Sequence, residues 1–127
     1  MLSWLRKILH WLWAEILNRK PLPASGRVQP RVSYKTKVFS DRSVALDAAH
    51  RGRVLAVVER AGTQKWVLLR CPCGCGEDLA LNLMRSHLPV WELAVNGTGQ
   101  ASLHPSVHAT TCGAHFWLRN GAVIWCE

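Results

Sequence analysis

Apolar residues follow two different rhythms along this chain. Over residues 1–20 they recur at helical spacing, and from residue 31 onward they form short runs broken by turns. On a helix at about 100° per residue, Trp4, Leu5, Ile8, Leu9, Trp11, Leu12, Trp13 and Ile16 fall on an apolar arc of roughly 200°. Trp4 and Trp11 border that arc on one side and Trp13 on the other, with Arg6, Lys7 and His10 on the remainder. Indole rings at the boundary of a greasy and a cationic face suit a helix lying in a membrane interface. The same face would also fill a groove on a partner, or pack on the chain's own core. Residues 21–30, with three prolines and a glycine, read as a linker, which favours the first two destinations.

The remainder, residues 31–127, reads as a mainly β domain of small α+β type, with short strands and one short helix. Val32, Tyr34, Thr36 and Val38 alternate with Ser33, Lys35 and Lys37, which predicts a half-exposed strand whose lysines suit a sheet edge. Ser40 or Asp41 caps a helix running to His50 and closed by Gly52. Apolar runs at 53–59 and 64–70 predict a hairpin. Strands follow at 78–83, 90–95 and 101–104, and a last hairpin joins 115–119 to 122–126 through Asn120-Gly121.

Charge changes the picture once it is divided. The chain's net charge of +8 comes from sixteen Lys/Arg against eight acids. Residues 1–37 hold eight of the bases and one acid, whereas 38–127 hold eight bases and seven acids. The basicity belongs to the N-terminal arm, and the near-neutral body has no basic stripe of the kind a nucleic-acid groove needs. Specific nucleic-acid binding is not expected. The longest apolar run in the arm is Trp11-Leu12-Trp13-Ala14, too short for a signal peptide or a membrane span. With five cysteines, an odd number, this points to a reducing cytoplasm, with residues 1–20 able to hold the chain at the inner membrane.

The cysteines carry the clearest chemistry. Cys71-Pro72-Cys73-Gly74-Cys75-Gly76 leaves a predicted strand, and Cys112-Gly113-Ala114-His115 precedes another about forty residues later. Two glycine-bearing loops that each offer soft ligands are how a structural zinc site ties hairpins together. The preferred ligand set is Cys73, Cys75, Cys112 and His115, with Cys71 as the alternate in the first loop. Four such ligands would close the metal shell. No H-E-x-x-H, G-x-S-x-G, phosphate-binding or dinucleotide-binding glycine motif accompanies them, so the metal reads as structural rather than catalytic. A spare thiol, Cys71 or Cys75, would be the nucleophile of a cysteine-dependent acyl or ubiquitin-like transferase. The stretch Leu103–Thr111 leads polar groups toward Cys112, either as a small recognition surface or as hydroxyls that cap the backbone.

These motifs together resemble a bacterial family of small predicted metal-binding proteins. The resemblance rests on CPCGCG followed by Leu79–Leu83, the Pro89-Val90-Trp91 step, Leu103-His104-Pro105-Ser106-Val107, Cys112–Gly121 and Val123–Cys126. It covers residues 53–127, and some members carry a similar Trp- and Arg-rich helix. Members occur in gene clusters for bacterial ubiquitin-like conjugation, beside ubiquitin-like, activating-enzyme-like and conjugating-enzyme-like proteins. The resemblance implies partners of that class, either the ubiquitin-like protein or its E1- or E2-like enzymes. The combined expectation is a zinc-stapled β-hairpin domain with an amphipathic N-terminal helix. It would serve as a non-enzymatic accessory or adaptor, E3-like in role, through protein contacts. A membrane-surface protein is the first alternative, and the cysteine-dependent transferase the second.

Overall fold

The computed structural model describes residues 31–126. The expected helix at 1–20, with Trp4, Leu5, Ile8, Trp11, Leu12 and Trp13, and the linker at 21–30 lie outside the described residues. Within them, nine strands and one helix follow in the order β1 (Lys35–Phe39), α1 (Arg42–Arg51), β2 (Val54–Arg60), β3 (Thr63–Arg70), β4 (Asp78–Asn82), β5 (Glu92–Val95), β6 (Ala101–His104), β7 (Val107–His108), β8 (His115–Arg119) and β9 (Ala122–Trp125). The mainly β expectation holds.

The strands form a four-stranded sheet β1-β2-β3-β4, a pair β5-β6 and a three-stranded sheet β7-β8-β9. β1 runs parallel to β2, a pairing that requires a crossover, and α1 supplies it. Asp41 starts that helix by accepting the Ser43 amide at 2.8 Å, and Gly52 ends it. The lysines of β1 lie on the sheet edge, where they discourage pairing with another chain.

The continuous apolar runs of β2 and β3 have a direct cause. These two strands are covered on both faces, so alternation is lost. Leu55, Val57, Val67 and Leu69 meet Leu103, Val107, Phe116 and Leu118 in the main core. Ala56, Val58 and Leu68 on the opposite face pack under Ala45 and Ala49 of α1. Alanines on the inner side of the helix let it sit close to the sheet.

β7 to β9 bury one face only, and they alternate accordingly. Val107, Phe116 and Leu118 point into the core at 1%, 0% and 0% exposure, while His108, Trp117 and Arg119 point away from it. Asn120 (φ 48°) and Gly121 (φ 78°) make the expected tight turn between β8 and β9. Gly121 is required there. A Cβ would lie 3.1 Å from the Tyr34 carbonyl oxygen, at a φ that side chains rarely adopt.

Three details differ from the sequence expectation. The first strand begins at Lys35, because Ser33 makes only an isolated bridge to Ala122. The strand expected at 90–95 begins at Glu92, because a loop held by Asn82 occupies the residues before it. The two-residue β7 was not expected, since Pro105 and Ser106 read as a strand end.

Candidate functional site

Two groups of chemistry-bearing side chains are carried by β7, β8 and the loops beside them. The first follows from strand register. Val107 pairs with Phe116 and His108 with His115, so Ser106 lies one step before the paired positions, diagonal to His115. Parity then puts Ser106, His108, His115 and Trp117 on the face opposite Phe116. There the Ser106 hydroxyl stands 2.8 Å from Nε2 of His115. With the ring proton on Nδ1, the hydroxyl donates and Nε2 accepts, the relation between a nucleophile and its general base.

The pair is braced by two contacts. The His108 ring stacks on His115 with centroids 5.0 Å apart. The carbonyl of Ser106 accepts the Trp91 indole N–H at 3.4 Å. The peptide between His104 and Pro105, just before the serine, is cis. Among the described residues His115 makes no ion pair with a carboxylate, so the arrangement is a dyad stacked by a second histidine.

Trp91 is held in place by a buried amide. The Asn82 side-chain NH2 group faces the carbonyls of Met84, His87 and Pro89 at 3.0, 2.8 and 3.2 Å, and its oxygen accepts the Met84 amide at 2.9 Å. Asn82 also receives the Trp91 amide on its own carbonyl at 2.8 Å. Replacing Asn82 by alanine strips the partner from several loop groups. The expected loss is about 1–3 kcal/mol in urea unfolding, with faster amide exchange over residues 83–91.

The second group is the cysteine cluster. Cys71 closes β3, its amide bonded to the Glu77 carbonyl at 2.8 Å, so the chain loops back and brings Cys73 and Cys75 alongside. Cys112 arrives from residues 109–114, a loop closed by Ala109 N–H to Ala114 C=O at 2.7 Å and Gly113 N–H to Ala109 C=O at 2.8 Å. Thr111 ties the two loops together by donating to Glu77 at 2.8 Å. The ligand atoms of Cys71, Cys73, Cys75 and Cys112 all lie within 4.8 Å of one another. Three of the sulfur separations are 3.4, 3.6 and 3.6 Å. Bonds of ~2.3 Å to a tetrahedral ion would set sulfurs ~3.8 Å apart, so the donor set fits a metal ion.

Burial pushes the Cys71 and Cys73 thiols up, whereas the Glu77 amide facing the Cys75 sulfur holds that thiol low. Four thiolates this close repel one another unless a cation sits among them. The group whose donors fit a metal ion therefore has Cys71, the alternate of the sequence analysis, beside Cys73, Cys75 and Cys112. His115 stands outside it. As the first residue of β8 its side chain is turned to the outer face, where Ser106 engages it. Cys126 is half-buried and also lies outside the group.

The sequence model of a family described as "Bacterial ubiquitination-like system serine protease (BubE)" matches residues 41–126. The chain belongs to this family. The match runs from the cap of α1 to the end of β9, including both the Ser106–His115 pair and the cysteine cluster. BubE membership associates the chain with a bacterial ubiquitination-like system, the setting that the motif resemblance implied. No curated protein and no solved structure matches the chain. The sequence analysis missed Ser106 as a candidate nucleophile. The signal available was Ser-x-His set against His-x-Trp, two alternating triplets separated by six residues that can close a hairpin.

Proposed function

We propose that this chain is a serine hydrolase of a bacterial ubiquitin-like conjugation system. Ser106 is its nucleophile, His115 its general base, and a structural zinc ion is held by Cys71, Cys73, Cys75 and Cys112. The observation that carries this reading is the 2.8 Å contact between the Ser106 hydroxyl and His115 Nε2. The "serine protease" in the BubE family's description supports it. The system in which the family acts makes an amide or ester at the C-terminus of the ubiquitin-like protein the natural substrate.

In the first half-reaction the Ser106 Oγ–H proton passes to His115 Nε2 as Oγ bonds to the substrate carbonyl carbon. The bond from that carbon to the amine or alkoxide then breaks, and His115 returns the proton to the leaving group. In the second half-reaction water loses a proton to His115 as its oxygen bonds to the acyl carbon. The ester bond to Ser106 breaks, and Oγ takes the proton back. His108, stacked on the imidazole, and Trp91, bonded to the serine carbonyl, keep base and nucleophile in register. Zinc would contribute as a cross-link between the loops at 71–77 and 109–114.

The test is processing of the ubiquitin-like protein from the same gene cluster, made with a C-terminal extension. Wild-type chain is expected to release the extension, and Ser106→Ala to release none. An unprocessed extension with wild type would remove the hydrolase reading. The non-enzymatic adaptor role would then be the reading to pursue for the same partners. The destination of residues 1–20, membrane surface or partner protein, is a separate proposal. Flotation with anionic vesicles, and its loss in Trp4→Glu with Trp11→Glu, tests it.

A further inference from the structure

The outer face of β8 continues away from the dyad as a connected row of side chains that the hydrolytic step does not use. His115, Trp117 and Arg119 project from this face in succession, covering about 13 Å of strand, the length of roughly four extended residues. Trp117 is a fixed platform. The His104 ring lies 5.7 Å from its centroid, and the Arg119 guanidinium stands 5.0 Å over the indole. Across the ladder Trp117 pairs with Ile124, which is 49% exposed although strongly apolar.

Charge on this face has one sign. Residues 93–126 contain no Asp or Glu, and Arg119 is their one Lys or Arg. Arg119 is exposed and forms no ion pair among the described residues. The nearest acid by register is Glu92, paired with His104 on the neighbouring β5-β6 ribbon.

A carbonyl that reaches Ser106 must approach over this face, because the opposite face is the closed core. Resting on the hydrolase reading, we infer that the row Trp117, Ile124 and Arg119 is the substrate-recognition surface. It binds an extended segment of the substrate protein that carries an aliphatic side chain and, close to it, a carboxylate. The aliphatic group lies between Trp117 and Ile124, where flat indole and branched side chain leave apolar surface open. The carboxylate pairs with Arg119, whose stacking on Trp117 holds its planar fork in place.

Binding can be separated from catalysis in the full-length Ser106→Ala chain. The probes are fluorescein-labelled octapeptides in a Gly/Ser background. They carry Leu or Ser at one position and Glu or Lys two residues away on either side, and are read by anisotropy. The Leu/Glu peptide is expected to bind about tenfold tighter than the Ser/Glu or Leu/Lys peptides, the scale of one buried aliphatic group or one ion pair. Adding Trp117→Ala should erase the Leu preference, and adding Arg119→Glu should reverse the Glu/Lys preference. Thermal melts establish that each variant is folded. Equal affinities across the four peptides, or preferences that survive both substitutions, would overturn the inference. If these preferences appear as expected but wild type releases no C-terminal extension, the hydrolase reading fails while the recognition surface stands.

Discussion

Substitution of Ser106 by alanine is expected to lower kcat for peptide or ester hydrolysis by on the order of 10⁴–10⁶-fold, as for other serine nucleophiles. At 25 °C a 10⁴-fold loss is about 5.5 kcal/mol of transition-state stabilisation. The structure says why so much rests on one atom: the hydroxyl faces His115 Nε2 at 2.8 Å. His115→Ala should cost nearly as much. The double variant should be no worse than Ser106→Ala alone, because nucleophile and base act as one unit. Stability should fall by no more than about 1 kcal/mol, since Ser106→Ala removes one hydrogen bond at the edge of a two-residue strand. Burst kinetics with an activated ester, alongside urea unfolding of each variant, would measure both quantities. Additive losses from the two substitutions would show that they do not form a catalytic pair.

Removing the metal is the second large effect. The loops at 71–77 and 109–114 have one side-chain hydrogen bond directly between them, from Thr111 to Glu77, besides the meeting of their sulfurs. A metal at Cys71, Cys73, Cys75 and Cys112 closes a chain loop of about forty residues, and losing a comparable cross-link costs about 2–5 kcal/mol. For a domain of this size each kcal/mol shifts Tm by roughly 4–8 °C. Chelation, or Cys71→Ser, is therefore expected to lower Tm by at least ~8 °C and to leave less than one zinc per chain. Hydrolysis should fall with it, because the loop that carries Cys112 also delivers His115 to Ser106. His115→Ala, in contrast, should keep its zinc, since that side chain lies on the other face of β8. Elemental analysis distinguishes the two. Zinc lost in His115→Ala would return the histidine to the ligand set.

The legibility of this chain followed the range of the interactions. The cap at Asp41, the hairpin at 54–70 and the turn at Asn120-Gly121 are set by neighbours in sequence, and each appears within a residue or two of its expected place. The two loops of the metal group were legible because clustered cysteines have few other uses. The ligand set was harder to read. Cys112 and His115 have the spacing of a ligand pair, but β8 begins at His115, and strand alternation turns the imidazole away from the sulfurs. Cys71, the alternate ligand of the sequence reading, follows directly on a strand, and the turn back to Glu77 brings its sulfur beside the other three.

Ser106 was hidden for a different reason. Familiar serine motifs mark a nucleophile by the sharp turn that carries it, and Pro105-Ser106 carries no such glycine pattern. Here the geometry comes from register between β7 and β8, and β7 is only two residues long. Its existence depends on burial of Val107 against the core, a tertiary contact with no local signal. The outer row of His115, Trp117 and Arg119 depends on the same register, and becomes readable once Phe116 and Leu118 are known to face inward.

The central claim is that Ser106 is a nucleophile activated by His115. Its most direct test is reaction of the full-length, zinc-loaded chain with a fluorophosphonate, followed by intact-mass and peptide-mass analysis. One adduct per chain is expected, on Ser106, absent in Ser106→Ala and formed far more slowly in His115→Ala. A folded wild-type chain that takes no adduct, or takes it on another residue, would contradict it.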